Sequence, residues 1–122
     1  MKSVLVVGAG GFLGATARYG VGLLVMRHWT RDFPLATLLI NVSGSFLLGL
    51  FSTWATERAA LDPALRLLVA TGFVGAFTTF STFEYETQRL AGSGAHALAR
   101  ANVVLSVAAG YLAVHAGVSL AR

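Results

Sequence analysis

The chain has 122 residues, of which 56% are hydrophobic and only 11% are Asp, Glu, Lys or Arg. Charged residues make up roughly 25% of an ordinary soluble domain, so this composition is unsuited to a water-exposed surface. Cysteine is absent, which excludes disulfides, zinc–thiolate sites, iron–sulfur clusters and thiol nucleophiles. The net charge of +4 comes from basic and acidic residues scattered along the chain, and this pattern argues against a nucleic-acid partner.

Four apolar stretches follow one another with short loops between them. We expect membrane-spanning helices at residues 4–26, 33–56, 67–83 and 101–121, because a spanning helix needs roughly 20 apolar residues. Residues 1–122 are therefore predicted to form a single four-helix transmembrane domain, an all-α membrane protein. The third span is short and rich in Gly and hydroxyl residues, which indicates a broken helix whose irregular backbone lines a cavity or protein.

Positive charges near the span ends set the orientation of a membrane protein with short loops. Four of them lie on the side of the termini and four on the other side, with Arg18 inside the first span. The first set is Lys2, Arg58, Arg66 and Arg122, and the second is Arg27, Arg31, Arg89 and Arg100. This even count predicts insertion in both orientations, which an antiparallel homodimer requires.

The amino-terminal segment resembles the turn of a dinucleotide-binding enzyme, because glycines stand at positions 8, 11 and 14 and Asp32 follows. That turn needs a βαβ unit around it, and residues 27–31 form no buried second strand. No tyrosine is followed four positions later by a lysine, as in short-chain dehydrogenases. The sequence therefore does not predict an enzyme.

Polar residues recur at helical spacing in two of the predicted spans. Thr37, Asn41 and Ser45 lie four residues apart in the second span, and Asn102 and Ser106 have the same spacing in the fourth. Such stripes either join neighbouring helices by hydrogen bonds or line a pore. The spacing alone leaves both interpretations open.

The third span combines two glycines, four hydroxyl residues and four of the chain's eight phenylalanines within residues 72–83. A break flanked by Gly75 and Thr78 would free main-chain carbonyls that can hold a cation. The aromatic residues are predicted to share one helix face, namely Phe73, Phe77, Phe80 and Phe83. Lipid contact alone does not explain this mixture.

The placement of charge narrows the function. None of the five acidic residues lies inside a predicted span, although Glu84 stands at the end of the third. A proton-coupled exporter of the small multidrug-resistance class needs a membrane-embedded carboxylate, so this rival, a small dual-topology membrane transporter, is the less favoured function. Arg18 is the only charge within a span and favours an anion near a vestibule, unless its side chain snorkels to the interface.

Three segments carry a resemblance to a known family: residues 11–19, residues 41–49 and the run Thr-Thr-Phe-Ser-Thr-Phe that ends at Phe83. In these segments, and across essentially its whole length, the chain resembles the Fluc fluoride channels, also called CrcB. The resemblance implies a passive, fluoride-selective channel that exports fluoride from the cytoplasm across the inner membrane of a prokaryotic cell. It also implies an antiparallel, dual-topology homodimer with two pores and a structural sodium ion.

The resemblance further implies a role for individual residues. The main-chain carbonyls of Gly75 and Thr78 would bind the sodium ion, while the vestibule role of Arg18 rests on its charge alone. The residues expected along the fluoride pathway are Asn41, Phe80, Phe83, Ser106, Asn102 and Thr82. Other members can have Tyr at the position of Asn102. Amide and hydroxyl donors would replace the water that fluoride binds tightly, and phenylalanine rings would present their electropositive edges to the ion.

Overall fold

The computed structural model describes residues 1–122, which form helices joined by short loops, with no strand. The helices are α1 (Lys2–His28), α2 (Leu35–Thr56), α3 (Pro63–Arg66), α4 (Gly75–Phe77), α5 (Phe80–Gly92) and α6 (His96–Ala121), and a π-helical stretch at Leu67–Val74 joins α3 to α4. Four segments are long and apolar enough to cross a membrane, namely α1, α2, the run from α3 through α5, and α6. The predicted all-helical fold with four potential spans is confirmed.

Local signals in the sequence explain where the short connections begin and end. Asp62 caps α3 by accepting the N–H of Ala64 at 2.8 Å, and Pro63 occupies the first turn, where no N–H is needed. Arg66 donates from Nη2 to the carbonyl of Ala55 at 2.6 Å and so ties the start of the third segment to the end of α2. Gly94, at φ 86°, supplies the left-handed backbone of the turn between α5 and α6.

The third hydrophobic segment is broken at two residues. Thr78 (φ −80°, ψ 157°) and Thr79 (φ −150°, ψ 108°) are extended, so α4 ends at Phe77 and α5 begins at Phe80. This agrees with the broken helix predicted from the sequence.

The prediction of one aromatic face is wrong, because the break changes the helical register between the second and third ring. The rings instead form two pairs: Phe73 stacks on Phe77 with centroids 5.9 Å apart, while Phe80 meets Phe83 at 5.7 Å and an interplanar angle of 51°.

Two seams of small residues hold the bundle together. A Cβ atom on Gly49 of α2 would lie 2.5 Å from the carbonyl oxygen of Val114 on α6, and one on Gly117 would overlap the carbonyl of Phe46. In the second seam, α1 lies against the π-helical stretch so closely that a Cβ on Gly14 would overlap the carbonyl of Phe73. Glycines permit this backbone approach where lipid supplies no hydrophobic force between helices.

The helix after the break extends beyond the predicted span. It continues to Gly92 and therefore carries Glu84 and Glu86 within the third segment. Glu86 is half-buried, and its Oε1 atom accepts a 2.8 Å hydrogen bond from the hydroxyl of Thr37 on α2. The third segment is thus longer than the predicted span of residues 67–83, because α5 continues without a break from Phe80 to Gly92 and carries both acids past Phe83.

Most of the chain's apolar surface is not covered by the chain itself. Only 16 of 122 residues are buried, and large apolar side chains stand exposed along α1, α5 and α6. Examples are Phe12 (70% exposed), Phe80 (73%) and Tyr111 (70%). Exposed apolar surface of this extent is suited to lipid or to another protein surface.

Candidate functional site

The break in the third segment is held by one side chain of α2. Asn41 donates from Nδ2 to the carbonyl of Thr79 at 3.0 Å and accepts the N–H of Thr79 on Oδ1 at 2.7 Å. The hydroxyl of Thr79 in turn caps α5, where it accepts the N–H of Thr82 at 3.4 Å and donates to the Thr82 hydroxyl at 2.9 Å. The N–H and the carbonyl of Thr79 are therefore both paired by a side chain, as backbone at membrane depth requires.

These same bonds divert two backbone N–H groups, which in a continuous helix would donate to carbonyls of the third segment. The N–H of Thr79 would reach Gly75 in an unbroken helix, and the N–H of Thr82 would reach Thr78. Both donors are taken, by Asn41 and by the Thr79 hydroxyl respectively. The carbonyls of Gly75 and Thr78 are thereby left for another partner, and hard cations bind such oxygens. No group of three or more His, Asp or Glu side chains offers an alternative metal site.

A cavity of about 310 Å³ opens beside the break, between α2, the third segment and α6. Six residues that were predicted for the fluoride path or the sodium ion line it: Asn41, Gly75, Thr78, Phe80, Phe83 and Ser106. Gly44 and Ser45 of α2 complete the polar side of the wall, and Leu48, Ala70, Val74 and Val107 the rest. One amide, three hydroxyl side chains and two aromatic rings therefore surround a single space.

The two rings differ in how far the chain encloses them. Phe83 is buried, with 6% of its surface exposed, whereas Phe80 is 73% exposed although it lines the same cavity. One side of Phe80 therefore faces away from its own chain, and the cavity is open on that side.

Asn102 lies behind the cavity wall and does not line it. Only 1% of this residue is exposed, and its Nδ2 atom donates to the hydroxyl of Thr87 on α5 at 2.9 Å. Ser106 donates to its Oδ1 atom at 3.4 Å. Sequence reasoning grouped Asn102 with the ion-lining residues because it shares the stripe of Ser106, and it missed Thr87, which stands four residues after Phe83 on the same helix face.

Thr82 and Arg18 line a different cavity, of about 330 Å³, on the other side of α5. Thr37, Thr79 and Glu86 line it too, and the Oε2 atom of Glu86 is buried there without a hydrogen-bond partner. The structure thus separates Thr82 and Arg18 from the cavity that holds Asn41 and the phenylalanine pair. Glu86 was missed by sequence reasoning, although its position four residues after Thr82 places both on one helix face.

Four segments able to span a bilayer, with a cavity beside the broken helix, define a multi-pass membrane protein. The family model described as CrcB-like protein, Camphor Resistance (CrcB), matches residues 5–118. The chain belongs to this family, and the resemblance drawn from the sequence is confirmed.

Curated relatives match the chain along nearly its whole length. The protein of Chlorobaculum tepidum named fluoride-specific ion channel FluC is 48% identical over 122 residues, which cover 100% of this chain and 96% of the relative. That of Acidobacterium capsulatum, with the same name, is 49% identical over 111 residues, or 91% of this chain and 89% of the relative. FluC 2 of Symbiobacterium thermophilum is 48% identical over 115 residues and 94% of each chain. These relatives are named as ion channels, which are not enzymes.

Proposed function

We propose that the chain forms a passive, fluoride-selective channel that exports fluoride from the cytoplasm across a prokaryotic inner membrane. The observation that carries this proposal is the single cavity where the Asn41 amide, the Ser106 hydroxyl and the Phe80–Phe83 pair meet. The names of the relatives at 48–49% identity supply the identity of the ion.

The cavity offers what a small, strongly hydrated anion needs. An amide nitrogen carries two hydrogens, and Asn41 gives one of them to Thr79, so the other is available to the cavity. The ring edges of Phe80 and Phe83 add positive partial charge without a cation that would trap the ion. Weak, neutral donors placed one after another along the pathway suit an ion that must bind and then leave.

The pore is completed, in this proposal, by a second copy of the chain in antiparallel orientation. Phe80 is 73% exposed and lies at the open side of the cavity, so a second chain there would close it. The balanced count of positive charges is compatible with insertion in both orientations. A two-fold axis would give two equivalent cavities and hence two pores.

A structural sodium ion fits the same arrangement. The carbonyls of Gly75 and Thr78 have lost their helical donors to Asn41 and the Thr79 hydroxyl, and both residues line the cavity. Two copies of the chain would supply four such oxygens. When bound, sodium would supply positive charge that satisfies these carbonyls and ties the two chains together.

Arg18 and Thr82 are proposed to act outside the cavity at the break. They share the neighbouring cavity, where the guanidinium would attract anions toward a vestibule and the Thr82 hydroxyl would continue the polar surface.

The test is ion efflux from liposomes that contain only this chain. Vesicles loaded with fluoride or with chloride are followed with ion-selective electrodes. Rapid loss of fluoride with chloride retained is expected, whereas retention of fluoride by vesicles that hold correctly folded protein contradicts the proposal.

The multidrug-type transporter is tested in the same vesicles, because Glu86 provides a carboxylate within the third segment. Efflux that requires a proton gradient would favour that alternative.

A further inference from the structure

Three side chains connect the cavity wall on α6 to the backbone of α5. The Ser106 hydroxyl donates to Asn102 Oδ1 at 3.4 Å, Asn102 Nδ2 donates to the Thr87 hydroxyl at 2.9 Å, and Thr87 donates to the carbonyl of Phe83 at 2.8 Å. Ser106 and Phe83, at the two ends, line the same cavity. We call Ser106, Asn102 and Thr87 the relay.

The hydrogens of the relay all point the same way, from the cavity toward α5. A hydroxyl has one hydrogen, so a Thr87 that donates to Phe83 can only accept from Asn102. The amide must then turn its oxygen to Ser106, which makes Ser106 the donor in that contact. The hydroxyl hydrogen of Ser106 is thereby directed away from the cavity, and an anion there would meet lone pairs.

A half-turn of the Asn102 amide reverses the order. Thr87 then donates to Oδ1, Nδ2 donates to Ser106, and the Ser106 hydrogen is free to enter the cavity. Without an anion the reversed relay makes two hydrogen bonds against three, and with an anion it makes three. The bond lost in the reversal is the one from Thr87 to the Phe83 carbonyl, at 2.8 Å. The bond from Ser106 to the anion replaces it and is the stronger of the two, because its acceptor is charged.

We propose that the relay reverses when an anion enters the cavity, so that Asn102 and Thr87 are positioning residues for the Ser106 donor. The inference rests on the proposed function, which makes fluoride the anion. Asn102 is 1% exposed and acts through Ser106 without touching the ion. The reversed chain of donors ends on a charge and is strengthened cooperatively along its length.

The count of bonds predicts the effect of removing Thr87. The Thr87→Val substitution deletes two hydrogen bonds from the resting relay but one from the reversed relay, so it favours the anion-bound arrangement. The fluoride concentration that gives half-maximal current should fall by about fivefold, the equivalent of one ordinary hydrogen bond. Thr87→Ser keeps the hydroxyl and should leave that concentration unchanged.

The measurement is the fluoride current of the full-length protein across a planar bilayer as a function of fluoride concentration. Thr87→Val is compared with the parent, with Thr87→Ser and with the same substitution in a Ser106→Ala background. We expect the half-saturating fluoride concentration to fall only for Thr87→Val in the otherwise unchanged protein. In the Ser106→Ala background it should not fall, because the hydroxyl that donates to the anion is missing. A substitution that merely loosened the contact of α5 with α6 would lower the current and the unfolding temperature without tightening half-saturation.

The outcomes distinguish a failure of the relay from a failure of the proposed channel function. A Thr87→Val protein with unchanged or weaker half-saturation, beside a conducting parent, overturns the relay and leaves the channel intact. An equal shift in the Ser106→Ala background also overturns it, because the effect would then bypass Ser106. A parent protein that carries no fluoride current overturns the proposed function itself, and the relay with it.

Discussion

Asn41 and Thr79 pair through two hydrogen bonds that run in opposite directions, N–H to Oδ1 at 2.7 Å and Nδ2 to carbonyl at 3.0 Å. One amide thus replaces both partners that the backbone of Thr79 loses where the helix breaks. The same residue stands in the cavity wall, so its structural and its ion-binding roles are linked. Substitutions at Asn41 should therefore change stability and conduction together.

Asn41→Asp removes the donor to Thr79 and places a carboxylate oxygen against its carbonyl. An unpaired, partly buried acceptor costs about 1–3 kcal/mol, so the free energy of unfolding should fall by that amount. Fluoride efflux should be abolished, because the carboxylate repels the anion. Ser45→Ala is the matched control, since Ser45 lines the cavity without bonding the break. Normal efflux through Asn41→Asp contradicts the donor role.

Phe80→Ile and Phe83→Ile test the aromatic contribution. Isoleucine fills much of the space but has no electropositive ring edge, so fluoride efflux should fall by about tenfold in each variant. Phe83 is 6% exposed and its replacement should also lower the free energy of unfolding, by about 1 kcal/mol, whereas Phe80 is 73% exposed and should cost little.

The control for the aromatic variants is Phe12→Ile, because Phe12 is 70% exposed on α1 and lines neither cavity described above. Efflux and thermal unfolding are measured on the same preparations. If both cavity variants conduct like the parent, the rings serve packing alone.

Gly44→Ala tests the geometry of the break from the side of α2. A Cβ atom at this position would overlap Cγ2 of Thr78 and lie 3.2 Å from the Phe77 ring. Thr78 must then move, and its carbonyl with it, at a cost of about 1–3 kcal/mol for an overpacked contact. Fluoride efflux should fall. In the proposed dimer, the unfolding temperature of Gly44→Ala should no longer be higher in sodium buffer than in potassium buffer.

Gly20→Ala is the matched control, because no atom lies within 4 Å of a Cβ built there. It should leave efflux unchanged and the unfolding temperature equal or higher, since alanine is the better helix former. A Gly44→Ala protein indistinguishable from this control shows that the close approach of Gly44 to Thr78 is dispensable.

The double variant Lys2→Gln/Arg122→Gln tests insertion in both orientations. It leaves two positive charges on the side of the termini against four on the other side, which should then face the cytoplasm. The chain has no cysteine, so Ser93→Cys in the turn between α5 and α6 provides a single reporter for a membrane-impermeant thiol reagent.

In intact cells about half of the reporter should be labelled in the parent background, and much less in the double variant. Fluoride efflux should fall with the loss of oppositely oriented partners. Glu57→Gln is the control, because acidic residues contribute little to orientation. Uniform labelling or uniform protection of the parent contradicts dual insertion.

The sequence was sufficient for features that depend on local composition. Four apolar stretches of spanning length predict four spans, and the crowding of glycines and hydroxyls near Thr78 predicts the break, because each property is readable within one segment. The spacing of Asn41 and Ser106 placed both on polar stripes. Their meeting at one cavity required the packing of α2 against α6.

Features that arise between segments were beyond such reasoning. Leu67–Val74 is as apolar as any spanning helix, and nothing local marks it as π-helical. The amide of Asn41 pairs with Thr79, 38 positions away in the chain, and Asn102 turns toward Thr87 instead of the cavity. The spacing of Asn41 and Asn102 in the sequence shows that each lies on a polar stripe. It does not show whether the side chain bonds a neighbouring helix or faces the cavity.

The two glycine seams also determine the order in which the protein can assemble. The seam of α1 is formed with the π-helical stretch, and that of α2 with α6, while α1 and α2 contact each other only slightly. During synthesis, α1 and α2 therefore enter the membrane before the π-helical stretch and α6, the segments against which they pack. The α2 seam closes only after Gly117 has been synthesised. Truncation before Gly117 should leave α2 and the remainder of α6 without this close contact and exposed to membrane proteases.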